Sequence, residues 1–258
     1  FWKEYGAVLK EGLYEDAERK ETLLDLCRFS TNESEDPISL SQYLEKMPDT
    51  QKEIYYISAE TSAQALASPH LEGFKSKNIP VLIMTDAIDQ FWLPMVGSFK
   101  EKKFTSITQG KINLDELDSK NKDKKNKSND DKDKQDKEYV DLIAQLKVVL
   151  GDQVKDIRLS SKLTDSPVCL VADEGDMDIA MEQLMAQRDS NYKGAPRILE
   201  INGDHSLIKN MKSLLSKKES NDLVSDAGTL LFEQARLMEG KMPADPAQFS
   251  KIMNQFLL

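Results

Sequence analysis

Glycine is scarce where it would carry chemistry. None of the chain's 11 glycines falls in G-x-G-x-x-G or in G-x-x-x-x-G-K-S/T, so no backbone cradle for phosphate is visible. There is no G-x-S-x-G nucleophile turn and no H-E-x-x-H, and His70 and His205 have no partners at ligand spacing, which leaves no metal site to expect. Cys27 and Cys169 form no C-x-x-C and read as reduced core residues. No apolar run approaches the roughly 20 residues of a membrane span, and the start FWKEYGAVLKEG lacks the features of a secretion signal. A soluble, cytoplasmic chain with no membrane partner is expected. The net charge of −10 argues against a nucleic-acid partner. There is no initiator Met, and Phe1, Trp2, Tyr5, Val8 and Leu9 already follow helical spacing, as in a piece of a longer protein.

The stretch 118–138 (DSKNKDKKNKSNDDKDKQDKE) contains no apolar residue, and its lysines and acids nearly balance. Such a polyampholyte solvates and spaces what lies on either side, as coil or as helix. It divides the chain into lobes at 1–117 and 139–258. In the first lobe the spacing predicts helices up to residue 48, one starting at Ser39 as N-cap. Short apolar runs then alternate with helical ones: Ile54 to Ile57 and Val81 to Met84 read as buried strands, and Ser68 before Pro69 as a helix start. This order implies right-handed crossovers and an α/β lobe with a small, mostly parallel sheet. The second lobe opens with a helix up to Gly151 and continues with strands in VKDIRLS, PVCLVAD and ILEIN, an α+β pattern ending in two helices.

Three features are candidates for function. Phe91 and Trp92 put two rings where a loop passes into a helix; they either pack on the sheet or leave one ring at the surface as an anchor. Met177, Met181, Leu184 and Met185 share one helix face, while Ile179 and Ala180 offer another. Spacing alone leaves that stripe either core or an adaptable binding surface, for which methionine is suited. The terminal helices carry Leu223, Ala227, Leu230, Leu231, Ala235 and Met238, then Phe249, Ile252, Met253, Phe256 and Leu257 after Asp245 as N-cap and Pro246 at N1. Burying each large side chain is worth roughly 1.5 to 3 kcal/mol, and the two faces exceed what one such lobe covers, so a homodimer is expected. Asp204 beside His205 reads as a helix-starting turn capped by Asp204 or Ser206. DEGDMD has the wrong spacing for a calcium loop and reads as acid near a helix N-terminus.

The runs LKEGLYED, LCRFST, SLSQYLEKMPDTQKEIYYIS and PVLIMTDAIDQF, with KDIRLSSKLTDSPVCLVADEGDMDIAMEQLM and ILEINGDHSLIKNM, closely resemble the heat-shock protein 90 chaperones of the bacterial type. The resemblance places the chain in the distal middle domain and the C-terminal dimerisation domain. It implies binding of non-native client proteins, through a patch carried over to Gln90, Phe91 and Pro94 with Trp92 adjacent, and through the helix of Met177, Met181, Leu184 and Met185. It also implies that the terminal helix pair forms a four-helix bundle with a second protomer, and that cochaperones are potential partners. ATP and magnesium are implied for the full-length protein, with the nucleotide-binding domain upstream, so this chain by itself is expected to be no enzyme and to hold no cofactor. A dimeric adaptor without chaperone activity and a small-molecule α/β enzyme are the alternatives.

Overall fold

The computed structural model describes residues 1–16, 18–110, 112–117, 125–189, 192, 194–215 and 221–256, with side chains of 115–116 and 125–136 left aside. In chain order the elements are α1 (Trp2–Glu15), α2 (Lys20–Leu26), β1 (Ser30–Thr31), α3 (Leu40–Lys46), β2 (Ile54–Ser58), α4 (Ser62–Leu66), α5 (Glu72–Ser76), β3 (Leu82–Met84), α6 (Asp89–Val96), β4 (Ser98–Phe99) and β5 (Lys102–Ser106). Then follow α7 (Lys125–Leu150), β6 (Val154–Leu159), β7 (Val168–Val171), α8 (Ile179–Arg188), β8 (Arg197–Ile201), α9 (Ser206–Leu215), α10 (Asn221–Met238) and α11 (Pro246–Phe256).

Two units are formed. One is Phe1–Ser119 with Glu174–Gly194; the other is Lys120–Asp173 with Ala195–Leu258. This partition differs from the lobes read from sequence. Residues 174–194, placed in the second lobe, fold with the first unit. Of the two forms expected for the charge run, coil or helix, the backbone from Lys125 takes the helical one as the first half of α7; residues 118–124 lie outside the described residues.

In the first unit the described strands form a sheet of order β1-β3-β2-β5-β4. β2 pairs in parallel with both β3 and β5, while β1 and β4 run antiparallel at the edges. Alternation along the strands sends Ile54, Leu82, Met84 and Phe104 into one core with Leu24, Tyr43 and Trp92, and Tyr55, Ile57 and Ile83 into another with Phe74, Ile107 and Leu114. Local chemistry sets the boundaries. Ser39 caps α3 in a reciprocal box with Gln42, and Ser68 caps the turn that begins at Pro69. The buried Tyr43 hydroxyl donates to Pro80 O at 2.7 Å and accepts from Gln51 Nε2 at 2.9 Å and Tyr55 N at 3.2 Å, so a polar group inside the core is satisfied.

In the second unit β8 lies between β6, to which it is parallel, and β7, to which it is antiparallel. Ile157, Leu170, Leu199 and Ile201 pack with Leu142 and Leu146 of α7, Met211 of α9 and Leu231 of α10 in one core. Glu200, alternating to the other side of β8, is buried and gathers Arg158 (Nη2 at 2.8 Å) and the Ser160 hydroxyl (2.9 Å). Helix α10 ends at Gly240, φ +77°, with Gly240 N donating to Leu237 O and Lys241 N to Arg236 O, the paired bonds of a Schellman ending. Among the described residues no helix is long and apolar enough to cross a membrane.

Candidate functional site

In the first unit, α6 and α8 bring two of the candidate features together. α6 follows β3 through Asp86 and is pinned by Asp89. That carboxylate is fully buried; its Oδ1 accepts the Trp92 indole N–H at 2.7 Å, and Lys10 Nζ reaches Asp89 at 2.9 Å and Asp86 at 2.7 Å. Trp92 is 0% exposed and meets Phe104 edge to face at 5.5 Å. Of the two rings the sequence left open as a surface anchor, Trp92 is removed from the candidate client-binding residues: the ring is core, its N–H having a buried acceptor one turn back. Phe91 and Gln90 are half-buried. The Arg188 guanidinium, at the end of α8, lies 5.9 Å from the Phe91 ring centre, a cation–π contact joining the helices. Pro94 sits inside α6 and exposed, without displacing its start.

Helix α8 presents Met181, Leu184 and Met185, whereas Met177, expected on the same helix face, precedes the N-cap Asp178 and lies outside the helix. Met177 is 39% exposed, Met181, Leu184 and Met185 are half-buried, and Ile179 on the opposite side is buried. The stripe is thus neither core nor free surface. Asp178 starts the helix, its Oδ1 accepting from Ala180 N at 2.9 Å, so the acidic run does sit at a helix N-terminus. The same carboxylate accepts from Ser106 Oγ at 2.5 Å and Thr108 Oγ1 at 2.8 Å. Sequence reasoning missed these two hydroxyls. Nothing in FTSIT marks them, since their acceptor is 70 residues away for Thr108.

In the second unit the terminal helices divide the dimer candidates into two groups. Ala227, Leu231 and Ala235 belong to the unit's own core, and Ile252 is 4% exposed. For the first three the sequence assignment to a partner-facing stripe is corrected because α10 turns that side toward α7 and the sheet, and for Ile252 because α11 buries it. Leu223, Met238, Met253 (40%) and Phe256 (44%) stay exposed, and Leu230 and Phe249 are half-buried; Leu257 lies outside the described residues. Asp245 Oδ1 caps α11 through Ala247 N and Gln248 N, and buried Glu233 accepts from Ala244 N at 3.2 Å, fixing the turn between the helices. At α9 the cap differs from expectation. His205 Nδ1, not Asp204 or Ser206, accepts from Leu207 N at 3.1 Å.

Comparison with known proteins adds a lineage to this geometry. The family described as "Hsp90 protein" matches residues 1–258, the entire chain. The chain belongs to the Hsp90 family. This Hsp90-family chain is 42% identical over 251 residues to the "Chaperone protein HtpG" of Roseobacter denitrificans, covering 96% of this chain and 40% of that protein. It is 40% identical over 253 residues to the protein of that name in Paramagnetospirillum magneticum, covering 98% and 40%, and 37% identical over 254 residues to that of Streptomyces coelicolor, covering 98% and 39%. It therefore spans about two fifths of the length of the curated relatives it matches.

Two expectations are corrected by this match. The reading that the chain is no enzyme, and that ATP and magnesium pertain only to a longer protein, rested on the lack of a phosphate-binding loop in its own residues. The Hsp90 match runs without a break over residues 1–258, so no part of the chain stands apart from the family, and that lack does not separate it from the family's nucleotide chemistry.

Proposed function

We propose that this Hsp90-family chain is the client-holding and self-associating part of a molecular chaperone of the cytoplasm. In the family's terms the reading assigns it the distal middle and C-terminal regions. The observation that carries the reading is the half-covered methionine face of α8, set beside Phe91 on the same unit. Non-native proteins offer apolar segments of no fixed shape, and a methionine surface repacks against different partners at low cost. The exposed Met253 and Phe256 of α11 support a second copy as the other partner, since a twofold pairing covers the same stripe on both chains.

The test is suppression of aggregation of several unrelated denatured proteins, followed by light scattering. The chain is expected to slow aggregation, and Met181→Ser with Met185→Ser to remove most of that effect while leaving the melting temperature within a few degrees. A wild-type chain without effect on any of them sinks the reading, as does a double variant that unfolds, which would make the stripe core.

A further inference from the structure

Residues 174–194 interrupt the sequence of the second unit, between Asp173 and Ala195, yet they fold with the first. Polar contacts hold them there at both ends. At one end Asp178 receives the Ser106 and Thr108 hydroxyls, and Gln109 Nε2 donates to Asp176 O. At the other, Gln187 Nε2 donates to Glu60 Oε1 at 3.2 Å and Arg188 lies over Phe91. Among the described residues none of the segment's apolar side chains joins either core of the unit, and of these only Ile179 is buried in α8. A segment that shares little of the core opens well before the fold as a whole. Ser106 ends β5, which runs parallel to β2, so the segment lies at the carboxyl edge of the parallel strands. The Asp178 charge acts inward: together with burial it holds the Tyr56 phenol above its ordinary range.

We propose that residues 174–189 are a strap, fastened by the Asp178 carboxylate in the Ser106–Thr108 hydroxyl pair, and that release of this fastening uncovers the methionine face of α8. The pair bonds only Asp178 Oδ2, while Oδ1 caps the helix, so the strap can leave the sheet with its helix start intact. The fastening stands on geometry alone; only its consequence for clients rests on the chaperone reading.

Two variants approach the clasp from opposite sides. Ser106→Ala with Thr108→Val removes the donors and leaves the α8 cap untouched. Asp178→Ser removes the carboxylate and keeps a capping oxygen. Hydrogen exchange is read by mass spectrometry over 179–188, with the strands 30–31 and 82–84, which do not touch the clasp, as internal reference, and peroxide oxidation rates are measured for Met181 and Met185. Either variant is expected to speed exchange of α8 roughly tenfold or more, with the reference strands unchanged, and to speed oxidation of both methionines. Combining them should add little, as they break one interaction. Unchanged α8 exchange in Asp178→Ser overturns the proposal, and so does acceleration that spreads equally to the reference strands in either variant. Binding of permanently unfolded, carboxymethylated α-lactalbumin separates the two readings. Tighter binding by the opened variants supports both, whereas an opened strap with unaltered binding supports the clasp and counts against the client assignment.

Discussion

Lys10 is a lysine in a core. Its side chain runs inward from α1, passes within 4.8 Å of the Phe29 ring centre and ends between Asp86 and Asp89. Burial works against its charge, but Asp89 and Asp86 outweigh that and hold its pKa above the ordinary 10.5. The charge therefore contributes its full share of stability below about pH 10.5, and that share is lost as pH rises through the raised value. Lys10→Met strands a buried carboxylate at Asp89, and a loss of about 3–5 kcal/mol in the first unit is expected by denaturant titration. Burial already holds the Asp89 pKa above its ordinary value, and without the opposing Lys10 charge it is expected to rise further. The folded pKa then exceeds the unfolded one, so the variant gains stability as pH falls, and the deficit should be smaller at pH 5 than at pH 7. Nothing in VLKEG separates this lysine from its exposed neighbours; its role depends on acids 76 and 79 residues away. Cys27, by contrast, was legible as an inert core thiol, and burial pushes it up to about 12. Trp92 was half legible: its apolar spacing fits a core place, but the acceptor that keeps it inside becomes visible only once α6 has formed.

At the scale of elements, signals within one turn of the chain were the readable ones. Ser39, Ser68 and Asp245 all sit at the ends the sequence indicates, because a cap and its helix are neighbours. Which side of a helix meets its own unit was not readable. The face of α10 and α11 looks like one stripe in sequence, yet it is shared between a core and a surface. Ile252→Ala is expected to cost about 2–4 kcal/mol in the second unit's melting, whereas Met253→Ser with Phe256→Ser should leave folding nearly unchanged and shift sedimentation from dimer toward monomer. Gly228 makes a similar point about packing. Alanine at an ordinary helical glycine stabilises by about 0.5–1 kcal/mol, but a Cβ here would stand 2.4 Å from Leu146 Cδ2 of α7. Gly228→Ala should destabilise instead, by about 1–3 kcal/mol on thermal unfolding.

At the scale of the whole molecule, two units with separate cores need not unfold together. Calorimetry is expected to resolve two transitions, and Lys10→Met to lower one while leaving the other in place. A single peak moved as a whole by that substitution would deny the division. The division itself was only partly legible. The charge run shows where apolar character lapses, but a lapse in composition does not reveal that a later segment returns to an earlier sheet. That return has a consequence during synthesis. Asp178 trails Thr108 by 70 residues, so at roughly 5–20 residues per second the ribosome delivers the strap about 4–14 seconds after the strand end that receives it. The sheet of the first unit can close long before its last piece emerges, and for that interval the nascent chain carries a finished receptor waiting for its own ligand.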